Sequence, residues 1–176
     1  SEMQYEGMTQ LAPQAGVKGW WQKLVIFRPG LFSQRTLFID LDTIIVDNID
    51  FLAGYDGPFA IPHDFWRPSG LGPAVMLFDP KWASFIYEEW AAQGFPQTDP
   101  RGDQGWLEGI RQGRMRKDVD VMQDLFPGAF VSYKTDCTRA IPKDAKVVCF
   151  HGRPRPHEAI GWVADYWNHA EAACLQ

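Results

Sequence analysis

The chain has 176 residues, 45% hydrophobic and 22% charged, with 17 Lys and Arg against 22 Asp and Glu for a net charge of -5. This balance excludes bulk disorder, and the lack of a basic tract excludes nucleic-acid binding by phosphate neutralisation. Its longest apolar runs fall far short of the ~20 residues that span a bilayer, so no transmembrane segment is expected.

The length predicts a single α/β domain over residues 1–176. Residues 1–16 read as an irregular, polar lead-in without a signal-peptide pattern. Val17–Phe27 is predicted to be a helix with Trp20, Leu24 and Phe27 on its inner face, ended by Arg28-Pro29-Gly30. Arg35–Leu41 is a nearly continuous apolar run, as expected of a strand buried on both faces. Ile44–Val46 extends that pattern. Phe59–Pro62 and Ala74–Phe78 are further strands. Asp79 and Pro80 open a helix as N-cap and first residue, with Trp82, Phe85, Ile86 and Trp90 inward and Gly94 closing it. Asp103 begins a second helix with Trp106, Leu107 and Ile110 inward. Phe130–Tyr133 and Lys146–His151 read as strands. The tail, 158–176, is helical from Ile160 to Ala173, with Trp162, Tyr166 and Ala170 on one side.

Three cysteines (Cys137, Cys149 and Cys174) are too few for a disulfide framework or zinc knuckle, so a reducing, cytoplasmic setting is expected. Eight Trp build an aromatic core or, on the surface, platforms for the apolar faces of sugars.

A bare Asp-x-Asp is weak in a chain with 15 Asp, and Asp118-x-Asp120 is a second copy. Position singles out Asp40-Leu41-Asp42. Residues i and i+2 of an extended segment point the same way, and ligands bind at the carboxyl ends of strands in open α/β sheets. Two converging carboxylates there suit Mn²⁺ or Mg²⁺ shared with a phosphate; the alternative is a pair of turn or cap residues. The run from Val147 to His157 ends a second strand in His151, Gly152, Arg153 and Arg155. A neutral His151 can complete a metal site, Gly152 lets backbone N–H groups approach an anion, and the arginines bind phosphate oxygens. Asp103 and Gln104 are either a helix start or a pocket edge that hydrogen-bonds a hydroxylated substrate.

From Gly19 to His157 these pieces, in this order, resemble a glycosyltransferase of the GT-A type. Gly19-Trp20-Trp21-Gln22-Lys23 followed by Arg35 to Asp50 is similar to the stretch leading into that superfamily's metal-binding Asp-x-Asp. Ala74–Pro80 resembles the strand after the acceptor loop. Gly102-Asp103-Gln104 resembles its Asp-Gln element, and Phe150-His151-Gly152-Arg153-Pro154 its Phe-His-Gly element. The match is closest to uncharacterised bacterial glycosyltransferases related to glycogenin-like and lipopolysaccharide galactosyltransferase-like enzymes. The resemblance implies a mixed sheet flanked by helices. It also implies that Asp40, Asp42 and His151 hold Mn²⁺ or Mg²⁺ against the diphosphate of a UDP- or GDP-sugar. Gly152, Arg153 and Arg155 would steady that diphosphate with help from Lys23, and Asp103 and Gln104 would face the sugar or the glycan acceptor, Asp103 as base. The two βα units that the superfamily carries before Gly-Trp-Trp have no counterpart, since only 18 residues precede Gly19. An N-terminally truncated GT-A-like sheet is therefore expected, with homodimerisation through the truncated side.

Two other functions compete. Phe38 to Ile45 also looks like the strand-end Asp-x-Asp of haloacid-dehalogenase-like phosphatases, with Asp40 as nucleophile and Asp42 as acid. The truncation alternatively leaves a non-catalytic carbohydrate-binding or assembly domain.

Overall fold

The computed structural model describes residues 10–113 and 117–173, with side chains to Trp167. Positions 1–9 of the expected lead-in, Ala170's side chain and Cys174 lie outside the described residues. Two mixed sheets form the centre. The first has strand order β1 (Thr36–Ile39), β4 (Val75–Phe78), β3 (Phe59–Ile61), β5 (Asp120–Val121), and the second β2 (Thr43–Ile45), β7 (Val147–Cys149), β6 (Phe130–Ser132). β4 runs antiparallel to β1 and β3, whereas β5 is parallel to β3. In the second sheet β2 is antiparallel and β6 parallel to β7.

Strand periodicity decides which side each residue serves. Met76 and Phe78 join a cluster with Phe59, Phe27, Trp90 and Leu107, between the first sheet and the helices. Val75 and Leu77 of the same strand turn the other way, to Phe130 and Val147 of the second sheet. Beyond that sheet, Ile44, Val131 and Val148 meet Val163 of α5 (Trp162–Ala173). All four residues of β4 are buried, because both faces of this central strand are covered.

The doubly buried strand expected at Arg35–Leu41 is in fact an edge. β1 spans Thr36–Ile39, every residue is half-buried, and Leu41 is 93% exposed. An apolar run does not distinguish a central strand from a border strand.

The expected helix at Val17–Phe27 is a 3-10 helix over Gly19–Phe27. With three residues per turn, Trp21, Leu24 and Phe27 line up in the core, and Trp20 turns outward, 68% exposed. Trp21 stacks on Trp90 with centroids 6.3 Å apart. Trp90 belongs to α1 (Pro80–Ala92), which Asp79 caps as expected, accepting from the backbone N–H of Lys81 at 2.8 Å and of Trp82 at 3.2 Å.

The second helix, α2 (Asp103–Gln112), buries Leu107 and Ile110, with Trp106 half-buried. Its N-cap is Gly102, with Asp103 the first helical residue. Tyr133, expected in a strand, opens α4 (Tyr133–Asp136), where Ser132 caps. In α5, Val163 rather than Tyr166 reaches the core. The short β5 and α3 (Met122–Leu125) escaped the sequence reading. The second Asp-x-Asp is structural: Tyr55 donates its hydroxyl to Asp120 Oδ2 at 2.7 Å. Burial first, and then this bond, hold the Tyr55 phenol well above its ordinary value.

Candidate functional site

The Asp40-Leu41-Asp42 stretch passes from one sheet to the other. Asp40 donates its backbone N–H to Ala74 O at 2.8 Å beside β4, and Asp42 O accepts from Phe150 N at 3.0 Å beside β7. Because Thr43 pairs with Cys149 in the antiparallel β2–β7 register, Asp42 lies next to the end of β7, and His151 follows that end directly. The start of α2 and the loop between β3 and β4 close the remaining sides. The result is a cleft of about 430 Å³ lined by Lys23, Asp40, Asp42, Asp103, Gln104, His151, Gly152 and Arg155, with Asp64, Phe65, Trp20, Trp66 and Arg101 beside them.

Eight of the nine residues singled out from sequence thus line one cleft. Arg153 is the exception: its side chain is 81% exposed and pairs with Glu158, so it is a surface ion pair and does not line the cleft. Asp64, Trp66, Trp20 and Arg101 were missed. The signal for the first two lay in the dense run His63-Asp64-Phe65-Trp66-Arg67, a polar and aromatic loop between two strands.

Lys23 is nearly buried and sits among three oxygens: Asp40 Oδ2 at 2.7 Å, Pro73 O at 3.0 Å and Asp103 Oδ2 at 3.4 Å. Burial raises the carboxyl of Asp40 above its ordinary range, against the opposing charge of Lys23. Burial raises Asp103 in the same way. One ammonium shared by two buried acids leaves this corner short of positive charge. Asp103 Oδ2 is itself buried, and its contact with Lys23 Nζ is the long one of the three.

Asp42 pairs through Oδ2 with Arg155. His151 is held at both ring nitrogens. Trp66 Nε1–H donates to Nδ1 at 2.7 Å, and Nε2 lies 2.7 Å from Ser132 Oγ. An indole N–H can only donate, so Nδ1 carries the lone pair and the ring is neutral. Burial, aided by the charge of Lys134, lowers its pKa further. Gly152 has φ +73, and a β-carbon there would stand 3.4 Å from Lys134 Nζ.

Gln104 donates Nε2 to Asp64 Oδ2 at 2.7 Å and to Glu108 Oε1 at 3.3 Å. Glu108, nearly buried, is bound by both Arg67 and Arg101 and accepts from Leu71 N at 3.1 Å. This network fixes which end of the Gln104 amide faces the carboxylates, which leaves its carbonyl oxygen as an acceptor.

Among the described residues, no three His, Cys, Asp or Glu side chains stand close enough to hold a metal ion together. Asp40, Asp42 and His151 share the cleft, but each is held by a protein partner. The two carboxylates suit a hard divalent ion, in a place where the chain itself sets Lys23 and Arg155 against them, whereas the one lone pair of His151 is already taken by the Trp66 N–H.

The sequence matches no protein-family model, and no curated protein matches it. Solved structures do match. The glycosyltransferase GlyE of Streptococcus pneumoniae TIGR4 superposes with a TM-score of 0.63 at 13% identity, over 88% of this chain and 44% of that one. Its apo form gives 0.62 at 14% identity, over 93% and 46%. An active-site mutant of LgtC gives 0.60 at 13% identity, over 87% and 66%. The chain therefore has a glycosyltransferase-like α/β fold. It spans from under half to about two thirds of the length of these solved chains. Among the described residues, no helix is long and apolar enough to cross a membrane.

Proposed function

We propose that this chain forms the catalytic cleft of a metal-dependent glycosyltransferase, moving a sugar from a UDP- or GDP-sugar to a hydroxyl of a glycan acceptor. The observation that carries the reading is the convergence of Asp40, Asp42, Lys23, Asp103, Gln104, His151, Gly152 and Arg155 on one cleft, in a fold of glycosyltransferase type. In the reaction the bond from the anomeric carbon to the diphosphate oxygen breaks, and the bond to the acceptor oxygen forms. The diphosphate leaves with the bonding electron pair, and the acceptor proton passes to a base. Asp103 is the base in this reading: it lines the cleft at the start of α2, and its carboxyl, raised by burial, favours holding a proton. Arg155 and the backbone at Gly152 would bind the diphosphate. Asp40 and Asp42 would hold Mn²⁺ or Mg²⁺, which supplies Lewis-acid stabilisation of the leaving diphosphate; His151 would join them as a third ligand once Trp66 gives up its hydrogen bond to Nδ1.

The test is thermal unfolding with UDP or GDP, each with Mn²⁺ and each with EDTA, followed by a sugar-nucleotide hydrolysis screen. A nucleotide at ten times its Kd should add about 1.4 kcal/mol, or about 3–5 °C. The shift should require Mn²⁺ and disappear in Asp42→Ala. Absence of any shift with either nucleotide would overturn the reading. The structural neighbours lend no support to a phosphatase.

A further inference from the structure

Of the eight Trp, two are exposed: Trp20 at 68% and Trp66 at 66%. Both line the same cleft. A single exposed apolar side chain is ordinary, but two indoles on the wall of one cleft make that wall a candidate binding surface.

Both rings are held in place by their neighbours. Trp66 is fixed at its edge: its indole N–H goes to His151 Nδ1 at 2.7 Å, and its plane stands 89° to the imidazole. Its backbone N–H is held by Asp64 Oδ1 at 2.8 Å. Trp20 lies against Gly102, where an added β-carbon would stand 3.3 Å from Trp20 Cβ and 3.5 Å from Cε3. Gly102, at φ +64, is the N-cap of α2, so Trp20 is placed over the end of the helix that carries Asp103 and Gln104.

Polar groups in the same cleft complete the pattern. Asp103 lines the cleft but keeps its Oδ2 buried against Lys23 at 3.4 Å. Gln104 gives its N–H groups to Asp64 and Glu108, which leaves its carbonyl oxygen to accept. That carbonyl wants a hydroxyl donor. A pyranose ring has both kinds of surface, an apolar C–H face and a rim of hydroxyls.

We infer that Trp20 and Trp66 are stacking platforms for a pyranose, forming a saccharide subsite whose hydroxyls are read by Gln104. As the sugar subsite of a transferase it rests on the function proposed above; as a saccharide site it stands without it.

The experiment labels the indole nitrogens with ¹⁵N and follows the eight N–H resonances by NMR, with Trp20 and Trp66 assigned through their Phe variants. Lactose, maltose, cellobiose and N,N′-diacetylchitobiose are titrated separately, and UDP with Mn²⁺ in another arm. At least one disaccharide should move the Trp20 and Trp66 signals and leave that of buried Trp90 in place. Trp20→Ala and Trp66→Ala should each weaken that binding about five- to tenfold, with melting curves confirming that both variants fold. Ile160→Ala, at another exposed apolar position, should not change it. If no disaccharide moves either signal, or if UDP alone moves both, the subsite is overturned. If a disaccharide binds while neither UDP nor GDP shifts the melting temperature, the subsite stands and the sugar-transfer reading falls.

Discussion

Replacing Lys23 with Met removes the ammonium from between Asp40 and Asp103 and keeps an unbranched stem beside Phe38, over whose ring Nζ now lies at 5.4 Å. At an effective dielectric of about 20, the contacts at 2.7 Å and 3.4 Å are worth roughly 6 and 5 kcal/mol of gross attraction. The desolvation of a Lys side chain only 13% exposed offsets most of that sum. What remains is the cost of stranding a buried acid, Asp103, and a half-buried one, Asp40, without their counter-ion, for which about 3–5 kcal/mol, the cost of breaking a fully buried pair, is the upper range. The acids can escape part of it by taking up a proton, so we expect the lower end, about 3 kcal/mol and about 6–12 °C in Tm. The pH dependence separates this cause from lost packing. Both acids already have folded-state pKa values above their ordinary range. Such a group stabilises most below its unfolded pKa and loses that contribution as pH rises through its folded one. Without Lys23 both values rise further, so the deficit should be full near neutral pH and shrink toward about pH 4. Melts followed by circular dichroism at both pH values check this. An equal deficit at both, or none at either, would refute the electrostatic account.

The same imbalance predicts that Asp103→Asn raises Tm at neutral pH, with Lys23 still paired to Asp40. The gain should fade toward about pH 4, where the wild-type carboxyl is protonated as well; a gain that persists there would contradict it. Gly102→Ala forces a side chain into a positive-φ position and against Trp20. It should cost about 1–3 kcal/mol by urea unfolding and shift the Trp20 indole resonance. Burial pushes the thiols of Cys137 and Cys149 up to about 12. In a Cys174→Ser background, native protein should therefore not react with a thiol-specific disulfide reagent near neutral pH, and two thiols should react in urea.

Some parts of the fold were legible because local chemistry fixes them. The Asp79-Pro80 start of α1 is one, since a capping carboxylate and a proline need no tertiary partner to act. Other parts depended on what lies alongside. Thr36–Ile39 and Val75–Phe78 look alike as apolar runs, yet one is a border and the other the centre, a difference set by pairing. The choice of a 3-10 over an α-helix at Gly19–Phe27 reversed the roles of Trp20 and Trp21, because a turn of three residues shifts the inner face. At the site, strand ends announced Asp40, Asp42 and His151. Lys23 was placed only by resemblance, and its hold on two acids far apart in sequence has no local signature. The same is true of Glu108, which accepts from Gln104 and is itself held by arginines 41 residues before it and 7 residues before it. Arg153 misled, since its spacing from Arg155 says nothing about which side of the loop each side chain takes.

Asp40 hangs from one sheet and Asp42 from the other, so the gap between the two acids is a gauge of how the sheets sit on each other. That seating is decided in the layer where Leu77 meets Phe130 and Val147, away from the cleft itself. A small sliding of one sheet over the other would open or close the jaw formed by the two acids, and a void introduced in that layer would loosen its setting with every cleft residue left in place.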